Sequence, residues 1–68
     1  MINFVICDDN VNILDKLPKM LENIFLKYNY DACIGFKSDD FDEIVEYVGD
    51  NKTDVLILDI NLKNGKNK

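Results

Sequence analysis

Three carboxylates carry the chemistry open to this 68-residue chain. Asp8 and Asp9 close the apolar run VICDDN, Val5 to Asn10, and Asp59 interrupts a second one, LILDI, Leu56 to Ile60. A buried strand gains nothing from a charge at its end. The chain has no histidine, so imidazole is excluded both as a general base and as a metal ligand. Carboxylate chemistry is what remains. A hard divalent cation such as Mg²⁺ takes one or two carboxylates, a carbonyl and waters, and leaves room for a phosphate oxygen. A carboxylate nucleophile beside such a cation is what phosphoryl transfer needs. Each acid also has an ordinary structural role. Asp8-Asp9-Asn10 can cap a helix and favour its dipole, and Asp59 can be a loop residue just past a strand.

The elements that position these acids alternate. Residues 2–7 (INFVIC) are short, apolar and rich in β-branched and aromatic types, as in a buried strand. Across residues 10–28, apolar side chains recur at three and four: Ile13, Leu14, Leu17, Leu21, Ile24, Phe25 and Tyr28. That spacing predicts an amphipathic helix, with a kink at Pro18, which removes one backbone bond. NYD (29–31) is a turn, and residues 31–36 form a second strand weakened by Gly35. Residues 40–48 form a shorter helix with Phe41, Ile44, Val45 and Val48 on one face. Asp40 and Glu43 have capping-box spacing, and Gly49 suits the stop. Residues 54–58 (DVLIL) are apolar without alternation, as in a parallel strand covered on both faces. A polar tail, 61–68, follows.

The order β-α-β-α-β implies an α/β fold with a parallel sheet and right-handed crossovers. Two spatial orders suit three strands. In order 2-1-3 the helices lie on opposite faces, and a topological switch point opens between strands one and three, where ligands of open α/β sheets bind. That order makes Asp8-Asp9 and Asp59 neighbours on one crevice, where a divalent cation would offset their repulsion.

Composition bounds the alternatives. With 13 acidic and 8 basic residues the net charge is −5, which argues against nucleic acid or an anionic membrane as a direct partner. No apolar stretch approaches 18 residues and no basic-apolar leader is present, so the expected location is the cytoplasm. Cys7 and Cys33 each sit in an apolar run. They are expected to be reduced core residues with no disulfide, since a metal site would want more Cys or His ligands.

At Asp8-Asp9 after FVIC and at DVLILDINL around Asp59 the chain resembles the N-terminal half of a response-regulator receiver domain from two-component signalling. The CDDN and LDI wording is most similar to bacterial regulators with a LytTR-type DNA-binding domain. The resemblance spans all 68 residues but about half of the family's domain. It implies half of a flavodoxin-like doubly wound fold and a module phosphorylated by a sensor histidine kinase rather than an enzyme. Asp59 would be the phosphoacceptor and a ligand of Mg²⁺. Asp9 would bind the metal directly, Asp8 mostly through water, and Asn61 through its backbone carbonyl. The family's phosphoryl-binding Ser or Thr and Lys, on later strands, have no counterpart here. Lys63, Lys66 and Lys68 follow Asp59 too closely to be presumed substitutes. A fragment is therefore expected, whose third strand, 54–58, is a bare apolar edge that pairs with a second copy. The rival readings are a scaffold that acts only through dimerisation and a Mg²⁺-dependent phosphatase. The amide at Asn61, where such enzymes usually carry a second acid, weakens the latter. A Mg²⁺ titration and turnover of a phosphate ester separate the three.

Overall fold

The computed structural model describes residues 1–59; residues 60–68, with Asn61 and the three tail lysines, lie outside the described residues. Five elements follow in the expected order: β1 (Ile2–Asp8), α1 (Val11–Lys27), β2 (Ala32–Ser38), α2 (Phe41–Asp50) and β3 (Val55–Asp59). The sheet is parallel with strand order β2-β1-β3, which is one half of a flavodoxin-like doubly wound arrangement.

Alternation along β1 divides the core between the two faces. Val5 and Cys7 are buried against Ile44 of α2, with Phe36 and Tyr47 packed around them. Phe4 points to the opposite face and meets Phe25 of α1, ring centroids 5.0 Å apart. Phe36 and Tyr47 stack nearly parallel at 4.6 Å.

Local chemistry explains where each element stops. Asn10 is the N-cap of α1 and accepts from the Asn12 N–H. At the other end Asn29 takes φ +58. The Tyr30 N–H then reaches the Phe25 carbonyl and the Asn29 N–H reaches that of Leu26, the two bonds of a Schellman stop with Asn in the left-handed position. As expected, the helix continues through Pro18, running from Val11 to Lys27 with Pro18 buried. Proline removes the N–H that would bond the Leu14 carbonyl. The Lys37 ammonium from β2 supplies the missing donor, Nζ to Leu14 O at 2.9 Å.

Gly35 marks a bulge. Register passes from Phe4↔Ile34 to Val5↔Phe36, leaving Gly35 without a partner on β1. A Cβ there would stand 3.0 Å from the Tyr47 hydroxyl. The strand resumes beyond it and ends two residues later than the pattern suggests. Gly49 is not the stop of α2. It lies inside the helix, which ends at Asp50 with Asn51 as C-cap. Nor is the capping box reciprocal. Asp40 accepts from the Asp42 N–H, but Glu43 accepts from the Ser38 hydroxyl at 2.6 Å, and Ser38 Oγ accepts from the Asp40 N–H at 3.0 Å. Buried Ser38 thus relays between the two acids.

β3 departs most from its pattern. Its unbroken apolar run predicts cover on both faces, yet neither helix lies close over it. Leu56 and Leu58 are 42% and 46% exposed. Both helices sit mainly over β1 and β2, so in the apolar run of β3 Val55 and Ile57 are half-buried while Leu56 and Leu58 stay exposed.

Candidate functional site

The carboxyl ends of the three strands form one acidic edge. Cys7 is in register with Ser38 on β2 and with Leu58 on β3, and Asp8 is in register with Asp59. Adjacent parallel strands lie about 4.8 Å apart, so Asp8 and Asp59 are immediate neighbours on the same face of the sheet. Asp9 is exposed on the next position. Asp39 continues β2 at the level at which Asp8 continues past Cys7. The motifs CDDN and SDDF therefore place matching acid pairs after β1 and β2. By its spacing Asp40 is only a helix cap, and Asp39 has no assigned role. The repeated pair after each strand was the signal that could have placed them at this edge.

The acids differ in freedom. Asp8 is 4% exposed, and its Oδ1 accepts from the Asn10 N–H at 2.8 Å. It therefore shapes the turn into α1 as well as contributing charge. Asp59 is exposed at the end of β3. Among the described residues no three acidic or sulfur side chains stand close enough to form a metal-holding group. What the structure brings together is the pair Asp8–Asp59, with Asp9 beside it. A hard, oxygen-only pair of this kind suits Mg²⁺, which needs one or two carboxylates and keeps several waters. Asn61, expected to lend its carbonyl, lies outside the described residues.

The field at this edge is felt by Cys7. Its thiol is pushed above the ordinary value of 9.0, first by burial and then by the negative charges of Asp8, Asp40, Asp39 and Asp9. The proton is held and thiolate chemistry is suppressed. Both cysteines are free. Cys33 is only half-buried, less than its apolar run suggests, and its Sγ donates to Asn3 Oδ1 at 3.4 Å.

A cleft of about 410 Å³ is lined by Val11, Leu14, Asp15, Lys37, Ser38 and Asp39. It lies on the β2 side of α1, and its lining does not include Asp8, Asp9 or Asp59. No helix among the described residues is long and apolar enough to cross a membrane. Comparison with known proteins finds no matching family model, no matching curated protein and no matching solved structure.

Proposed function

We propose that the chain is a receiver-type phosphoacceptor module of the cytoplasm, in which Asp59 takes a phosphoryl group from the phosphohistidine of a sensor kinase. The observation that carries this reading is the register of Asp8 with Asp59 at the carboxyl ends of adjacent parallel strands, where strand order reverses. One Asp59 oxygen attacks phosphorus in line, the P–N bond to the donor imidazole breaks, and the imidazole leaves with the electron pair. Asp9 and Asp59 would hold Mg²⁺ directly and Asp8 mostly through water, with the Asn61 carbonyl a further ligand if the resemblance holds. The cation would offset charge on the transferring oxygens. Exposure of Asp59 suits a protein donor, which needs an accessible acceptor.

Intact-mass spectrometry after incubation with Mg²⁺ and a small acyl phosphate tests this, beside an Asp59→Asn control. The expected result is one added phosphoryl group on the unsubstituted chain only, abolished by chelating Mg²⁺. No addition to a folded sample would overturn it. A second reading, a non-catalytic scaffold, is favoured by the Asp8 carboxylate's bond to the Asn10 N–H, which gives that acid a structural task without any metal. That reading expects no Mg²⁺-induced change in thermal stability.

A further inference from the structure

Asp8 belongs to two arrangements at once. Across the sheet it is in register with Asp59. Along the chain it closes a turn, its Oδ1 accepting the Asn10 N–H at 2.8 Å. Asn10 carries that connection into α1. Its side-chain Oδ1 accepts the Asn12 N–H at 2.9 Å, and its carbonyl accepts the N–H groups of Ile13 and Leu14, both at 3.1 Å. Leu14 is buried, and its own carbonyl accepts from the Lys37 ammonium of β2. The first turn of α1 is thus fixed at both ends, and one of those ends is a carboxylate of the acid pair.

We infer that Asn10 is a positioning residue for that pair, through which the first turn of α1 and a divalent cation at Asp8 and Asp59 stabilise each other. The inference rests on the Mg²⁺ site proposed above. A carboxylate has two acceptor oxygens. The turn engages Oδ1 of Asp8, which leaves Oδ2 to meet the cation or a water bound to it. An unrestrained aspartate visits several rotamers, and immobilising it on binding costs free energy. In this chain the Asn10 N–H has restrained buried Asp8 beforehand. Asp9, the next residue, is exposed. Coupling between two sites is reciprocal. By whatever factor the intact turn tightens cation binding, the bound cation steadies the turn by the same factor. The worth of one N-cap contact sets the scale, about two- to fivefold.

A Mg²⁺ titration of the 68-residue chain, followed by amide NMR shifts and by hydrogen exchange at Asn12, tests this. Saturating Mg²⁺ should slow exchange of the Asn12 N–H by about two- to fivefold, and Asn10→Ala should weaken Mg²⁺ binding by about the same factor. Asn10→Ser keeps an oxygen at the cap and should restore binding. Both replacements are uncharged, so the field at the acid pair is unaltered, and far-UV circular dichroism checks folding. A cap with a structural role alone would lower the thermal midpoint of Asn10→Ala without moving its Mg²⁺ Kd. That outcome would overturn the proposal. So would Asn12 exchange indifferent to bound Mg²⁺, or tighter binding in Asn10→Ala, the sign expected if helix and cation compete for Asp8. Each of these leaves the phosphoacceptor reading standing, whereas a folded chain that binds no Mg²⁺ overturns both.

Discussion

The two edges of the sheet are built from similar amounts of apolar chain and are treated differently. Beside β2, Tyr47 stacks on Phe36, Gly35 gives way to the Tyr47 hydroxyl, and Lys37 crosses to α1. Both helices thus reach the β2 side. Beside β3, Leu56 and Leu58 remain exposed and neither helix reaches across. The difference teaches that helix position over the sheet, more than strand hydrophobicity, decides which residues become core. Val5 and Leu56 are adjacent in register, yet Val5 is fully buried and Leu56 is not.

Neighbouring residues of α2 offer the largest test of that contrast. Ile44 is 1% exposed against Val5 and Cys7, whereas Val45 is 54% exposed on the β3 flank. In urea titrations, Ile44→Ala should cost about 2–5 kcal/mol, and Val45→Ala should stay within about 0.5 kcal/mol. Equal losses would mean that the β3 flank is as well covered as the β2 flank.

A smaller effect sharpens the account of the finished edge. Lys37→Met leaves the Leu14 carbonyl without its donor and should cost about 1 kcal/mol. With Pro18→Ala already in place the backbone N–H is restored, and the same Lys37→Met change should cost only about a few tenths of a kcal/mol. Additive costs in this cycle would mean that lysine and proline are unrelated.

The smallest effect lies at the acidic edge. Because the folded Cys7 thiol holds its proton above the ordinary 9.0, its contribution to stability is full below that pH. It is lost as pH rises from there through the raised folded value, since the unfolded thiol ionises first. A Cys7→Ala chain should show a shallower alkaline decline in thermal midpoint. Alkylation near pH 8 should label half-buried Cys33 before buried Cys7.

Sequence periodicity was enough to locate both helices and all three strands, because each helix shows its apolar stripe and each strand its apolar run. The alternation of elements left two strand orders open; in order 2-1-3, the one observed, Asp8 and Asp59 become neighbours. What could not be read was non-local. The donor that satisfies the Leu14 carbonyl in place of the Pro18 N–H is Lys37, 19 residues beyond Pro18 and on another strand. Ser38 lies beyond the strand that the pattern predicts, but it ends β2 and joins Asp40 to Glu43. The cover expected over β3 was inferred from side-chain type alone. Type cannot show that α1 and α2 both settle over β1 and β2.

The start of β3 has a consequence at its far end. Asp54 donates its N–H to the Asn3 carbonyl at 2.9 Å and takes the Asn3 N–H on its carboxylate at 2.8 Å. This two-way clasp works as an alignment pin. Side chains alternate with a period of two, so a slip of one residue at the pin would rotate every later position to the opposite face. Asp59 would then leave the face it shares with Asp8. The spacing of the acid pair is thus gauged from the opposite pole of the sheet, by a residue that never approaches it.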